Sequence, residues 1–158
     1  MTFTTLLKQE LVDLLEKKLK FPCTSEEVEY SKGTYKIKFD GYLDDKTKIV
    51  IFEIELRRAD PINNLVKVIH WICSSMDTKE IIMVQIFDKK YYSKPENKYK
   101  KDFTLFLARR CNLLHKKLSK FKYKHIDIEI DEKAYRTGDK NEARKMANRL
   151  CNDIIKII

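Results

Sequence analysis

The chain has 158 residues, 43% hydrophobic and 36% charged, with only three glycines and three prolines, a composition that argues against disorder and supplies one apolar core without staples. Lysine and arginine outnumber aspartate and glutamate by 33 to 24, a formal net charge of +9. That excess favours a polyanionic partner such as nucleic acid, although a solvated lysine-rich surface would have the same charge.

The opening stretch, MTFTTLLKQELVDLLEKKLK, carries Asp and Glu among its leucines, so neither a signal peptide nor a membrane span is expected, and the chain is read as cytoplasmic. Leu6, Leu7, Leu11, Leu14 and Leu15 recur at helical spacing and predict a first helix from Thr4 to Lys20. Glu10 falls between Leu6 and Leu14 on the edge of that buried stripe, where a carboxylate needs a partner. Cys23, Cys73, Cys111 and Cys151 form no CxxC pair, so buried thiols are expected rather than a zinc site or a disulfide framework.

Two extended runs follow, Tyr35 to Leu43 and Ile49 to Leu56, joined by Asp44, Asp45, Lys46 and Thr47 as turn residues, and they predict a β-hairpin. Asp60 and Pro61 read as the cap and first residue of a second helix. Ile62, Leu65, Val66, Ile69, Ile72 and Cys73 form its apolar face, and Asn63, Lys67 and His70 a polar line beside it. Ile81 to Phe87 is an apolar run suited to a strand covered on both sides. After a polar loop carrying tyrosines, Phe103, Phe106, Leu107, Leu114 and Leu118 mark a third helix. Ile126, Ile128 and Ile130 alternate as a strand, Asp131 to Lys140 reads as a mobile loop, and Ala143, Met146, Ala147, Leu150, Ile154 and Ile157 mark a last helix. The order αββαβαβα predicts a single α/β domain over residues 1–158.

Side chains alternate across a strand, so the hairpin pattern assigns its faces. Ile37, Phe39 and Leu43 with Val50, Phe52, Ile54 and Leu56 are expected to form one continuous apolar face, leaving Asp40, Glu53 and Glu55 together on the opposite one. Like charges so gathered are destabilising unless a cation sits among them, and Mg²⁺ (or Mn²⁺) takes hard carboxylate oxygens together with water and phosphate. The plain alternative is a half-solvated strand whose acids pair with Lys36, Lys38 and Arg57.

The segment KIKFDGYLDDKTKIVIFEIELRRADPINNLVKVIHWI resembles the core of the PD-(D/E)XK phosphodiesterase superfamily, which includes restriction endonucleases, Holliday junction resolvases and repair nucleases. The resemblance implies an αβββαβ restriction endonuclease-like core, a mixed central sheet flanked by helices and an extra C-terminal helix. It also implies Mg²⁺-dependent hydrolysis of nucleic acid, DNA being the expected partner. By this resemblance Asp40 matches the metal-binding Asp and Glu53 the first letter of the triplet, while Glu55 stands where the lysine should be and Phe39 replaces the motif proline. Some restriction enzymes carry Glu at that place, and a degenerate inactive member could show the same change. An active enzyme then needs a substitute cation, and Lys67 is the candidate. An acid on the first helix often joins the metal shell in this family, which makes Glu10 a further candidate ligand. Family members often act as dimers, so a homodimer is an open expectation, with no interface identified by the sequence.

Arg57 and Arg58 follow the triplet and are candidates for clamping phosphate, ion pairing with Glu55 being the alternative. The run KKYYSKPENKYKK contributes Lys89, Lys90, Tyr91, Tyr92, Lys94, Lys98, Lys100 and Lys101 as a candidate nucleic-acid surface on a loop at a strand end; a plain solvated charge run weighs equally. Two other functions stay open: an inactive nuclease-fold module that binds nucleic acid, and one that assembles with protein partners.

Overall fold

The computed structural model describes residues 1–24, 27–30, 35–74 and 79–158, with backbone alone at 27–30, 35 and 36. Helix α1 (Phe3–Leu19) starts where the Thr2 hydroxyl accepts the Thr5 N–H at 3.2 Å and ends at Lys20, which takes a left-handed backbone. Phe3, Leu7, Leu11 and Leu15 form its fully buried line, spaced by four residues. Strands β1 (Cys23–Thr24), β2 (Glu27–Tyr30), β3 (Tyr35–Lys38), β4 (Gly41–Asp44) and β5 (Lys48–Glu55) precede helix α2 (Ile62–Ser74). Then come β6 (Glu80–Asp88), the short helix α3 (Lys89–Tyr92), α4 (Pro95–Arg110), two 3₁₀ turns, β7 (Phe121–Ile128), α5 (Glu132–Thr137) and α6 (Lys140–Ile157).

The fold is α/β, with a mixed five-stranded sheet in the order β1-β4-β5-β6-β7 and helices on both sides. β4 runs antiparallel to β5, whereas β5, β6 and β7 are parallel. At the β4–β5 turn the Asp45 carboxylate accepts the N–H groups of Thr47 at 2.6 Å and Lys48 at 2.8 Å, the turn chemistry expected of this stretch. Helices α1, α5 and α6 cover one face through Leu7, Leu11, Ala134, Ala147 and Leu150 over Val50, Phe52, Ile54, Val84 and Ile86. α2 and the end of α4 cover the other, with Leu65, Val68, Trp71 and Ala108 over Ile49, Ile51, Ile81 and Met83. None of the described helices is long and apolar enough to cross a membrane.

Several expectations are corrected. The run from Tyr35 to Leu43 is not one strand: β3 pairs with β2 in a separate two-stranded ribbon and β4 begins anew at Gly41. The break resets the alternation by one residue, so Ile37 and Phe39 pack on the α2 side while Leu43 joins Val50 and Phe52 on the α1 side. Glycine is required at 41 because a Cβ there would lie 1.9 Å from the Phe52 ring. On α2 the buried set is Asn64, Leu65, Val68, Trp71 and Ile72, with Val66 exposed, about one residue out of phase with the expected stripe. The expected third helix ends at Arg110, with Leu114 at the end of the first 3₁₀ turn beyond it and Leu118 in the second; Phe103, Phe106 and Leu114 are exposed, while Thr104 and Ala108 are the α4 residues that face inward. Residues 131–140 hold helix α5, capped by the Asp131 side chain and closed by left-handed Gly138 (φ 67°), in place of a mobile loop.

Candidate functional site

Both glutamates stand on the last pleats of β5, at the carboxyl end of a parallel strand, where open α/β sheets commonly bind ligands. The β4–β5 register places Gly41 opposite Phe52, so one step further Asp40 comes level with Glu53. Asp40 Oδ2 accepts the Ile54 N–H at 2.9 Å and Oδ1 lies 3.3 Å from the Lys8 ammonium of α1. The Asp40 carboxylate lies close enough to Glu53 to raise its carboxyl. The structure therefore brings Asp40 and Glu53 together, with Glu55 one pleat beyond on the same side.

That side is the one roofed by α2, not an open face, because the sheet is covered on both sides. Glu53 is 3% exposed and Glu55 0%. Burial pushes the Glu53 carboxyl up to about 9, helped by the charges of Asp40 and Glu55. Burial also raises Glu55, to about 7, against the pull of hydrogen bonds from Asn64 and Gln85.

Two amides supply those bonds. Asn64 of α2 donates from Nδ2 to Glu55 Oε1 at 2.6 Å and to Glu53 Oε2 at 3.2 Å. Its Oδ1 accepts from the Lys67 ammonium at 3.2 Å. An ammonium can only donate, so Lys67 fixes which end of Asn64 faces the acids. Gln85 of β6 donates from Nε2 to Glu55 Oε1 at 3.0 Å and to the Pro61 carbonyl at 2.9 Å, and its Oε1 accepts the Tyr123 hydroxyl at 2.7 Å. Glu55 Oε2, though buried, accepts no hydrogen bond from any described residue; the nearest cation is Arg58, with Nε at 3.8 Å. Arg58, Asp60, Asn63, Asn64 and Lys67 line an open cleft beside these groups.

Other expected site residues lie elsewhere. Glu10 faces Arg144 of α6 at 3.7 Å, while Lys8 is the α1 residue that meets Asp40. Arg57 turns to the opposite side of the sheet end, where it forms a paired contact with Glu132, at 2.6 Å and 3.2 Å, approaches Asp88 at 3.4 Å and stacks 3.8 Å over the Tyr135 ring. The run from Lys89 to Lys101 is mostly helical, in α3 and α4, with only a turn at Ser93 and Lys94 between them. Tyr92 is buried, donating its hydroxyl to the Arg58 carbonyl at 3.1 Å and packing edge-on against Phe87 and Tyr91. Lys89 pairs with Glu129 at 3.0 Å, Lys98 with Asp102 and Lys101 with Asp127, and Lys100 donates to Asn97 at 3.1 Å. Lys90, Lys94 and Tyr99 are exposed. The side chain of Lys36 lies outside the described residues, and Lys38 is exposed.

Asn64, Gln85, Tyr123 and Lys8 were missed by sequence reasoning. Only Gln85 carried a signal, as the one polar side chain between Ile81 and Phe87. Among the described residues no three His, Cys, Asp or Glu side chains stand together as a metal-holding group. No protein-family model matches the chain, and neither a known protein nor a solved structure shows significant similarity to it.

Proposed function

We propose that this chain is a Mg²⁺-dependent phosphodiester hydrolase of nucleic acid, with DNA as substrate, on a restriction endonuclease-like core. The observation that carries the reading is the pair Asp40 and Glu53, brought level by the β4–β5 register as Asp40 precedes β4, with Glu55 one pleat on and the Arg58–Lys67 cleft beside them. The donor set suits the ion: Mg²⁺ is commonly held by one or two carboxylates with water and phosphate oxygens completing the shell, and Glu55 adds a buried oxygen without a donor. Asp40 and Glu53 would hold the ion, with Glu55 Oε2 completing the carboxylate set. When bound, a divalent cation neutralises the carboxylates, polarises a phosphate oxygen and lowers the pKa of the attacking water.

Lys67 and Arg58 stand where a phosphate entering the cleft would meet them, so they take the role of the missing motif lysine. Lys90, Lys94 and Tyr99 offer exposed contacts for the strand beyond. Scission of both strands of a duplex by one site needs either reorientation or a second copy, which a homodimer would supply. The test is cleavage of supercoiled, linear, branched and single-stranded DNA with Mg²⁺ or Mn²⁺. Metal-dependent cutting that Asp40→Ala abolishes is the expected result. Equal activity in the variant rejects the site, and salt-sensitive binding without cutting at any metal concentration leaves a binding module in its place.

A further inference from the structure

The amide of Gln85, on a side chain 0% exposed, is fixed in direction by its partners. The Pro61 carbonyl can only accept, so Nε2 must face it, and Oε1 is thereby turned to Tyr123, whose hydroxyl must donate. The second Nε2 proton is left for Glu55 Oε1. Since Asn64 donates to the same oxygen, Oε1 is doubly served while Oε2 receives no donor from a described residue.

From this geometry we infer that Tyr123 is a positioning residue: by holding the Gln85 amide in one orientation it keeps Glu55 turned so that Oε2 is the oxygen presented to a bound divalent cation. The inference rests on the reading of this site as a metal centre. Without the hydroxyl, Gln85 Oε1 is buried with no donor, and rotation of the amide to relieve it withdraws Nε2 from Glu55. The carboxylate is then free to turn, and the oxygen offered to the ion is no longer fixed.

Mn²⁺ binding by calorimetry separates the cases. Wild type, Tyr123→Phe and Tyr42→Phe are compared, the last removing a hydroxyl elsewhere on the same face, where it bonds Asp44 at 3.2 Å. The expected result is Mn²⁺ affinity about tenfold weaker in Tyr123→Phe, with a native near-ultraviolet spectrum, and affinity within about twofold of wild type in Tyr42→Phe. If wild type binds Mn²⁺ and Tyr123→Phe binds it equally well, or if both variants weaken it alike, the positioning role is overturned and the metal centre stands. If wild type binds no Mn²⁺, the metal centre itself falls and the role of Tyr123 with it. Should Tyr123→Phe fail to fold, the wild-type protein decides: slow solvent exchange of the Gln85 amide protons by NMR supports the assignment, and fast exchange overturns it.

Discussion

Two residues apart on the same stretch of chain, Glu55 and Arg57 lead to two acidic clusters that are managed in opposite ways. On the side of Arg57, Glu132 receives a two-point guanidinium contact and a further bond from Arg136 at 2.8 Å, and these hold its carboxyl down at about 2. Asp88, 1% exposed, caps α3 and has the Arg57 guanidinium 3.4 Å away. On the side of Glu55, burial dominates, and Glu53 and Glu55 are raised rather than lowered. A cluster already matched with fixed cations belongs to the architecture. One left with buried glutamates steered mainly by amides is what the proposed metal site would require.

The contrast is broken most severely at Glu53. Glu53→Gln is expected to lower metal-dependent cleavage by more than about 100-fold with the fold intact by circular dichroism; near-normal turnover would show that the two clusters are alike. Next in size is Arg57→Ala, which strands the buried Asp88 and should cost about 2–3 kcal/mol in urea unfolding. Arg57→Lys should recover little, since a point charge reproduces neither the fork nor the ring stacking; a loss under about 0.5 kcal/mol would remove the structural role.

The pH dependence is smaller and opposite in sign on the two sides. The Glu53 carboxyl is raised from 4.5 to about 9 on folding, so the folded chain holds its proton longer than the unfolded one. Stability from this group is complete below pH 4.5 and is lost as pH rises towards 9. In chelator, stability should therefore fall from pH 7 to 8.5 by at most about 1.4 kcal/mol per pH unit, and Glu53→Gln should flatten the slope. The Glu132 carboxyl is lowered, so its contribution is present above pH 4.5 and is lost as pH falls towards 2. A wild-type profile that is flat or rises between pH 7 and 8.5 would contradict the account of Glu53. The smallest effect is expected from Arg136→Ala: its partner Glu132 lies one helical turn away on the surface, and the change should stay within about 0.5 kcal/mol.

Much of this arrangement was legible in the sequence. The α1 leucines, the apolar β6 run and the α6 stripe follow from periodicity and the Asp45 turn from its residues. That turn leaves Asp40 across from position 51 or 53, a choice that the pairing of Gly41 with Phe52 makes in favour of 53. What alternation cannot report is whether the face it defines is covered, because α2 reaches that face through contacts distant in the sequence. Counting only apolar residues also misplaced the α2 stripe. Asn64 is buried because the carboxylates satisfy its amide, and no local pattern announces such a partner. The aromatics of α4 misled for a similar reason: their spacing marks a stripe, while the side that turns inward is the one carrying Thr104 and Ala108. The helical course of residues 89–110 follows from Asp88, whose side chain caps α3, and from Pro95 at the start of α4.

The bond from Gln85 to the Pro61 carbonyl has a mechanical effect. One side chain grips both the carboxyl end of a central strand and the chain just ahead of α2, so an outward tilt of the helix would drag on Glu55. On the proposed reading, a substrate that pries that corner open would therefore turn Glu55 away before reaching it, whereas one that seats against α2 would leave it aligned.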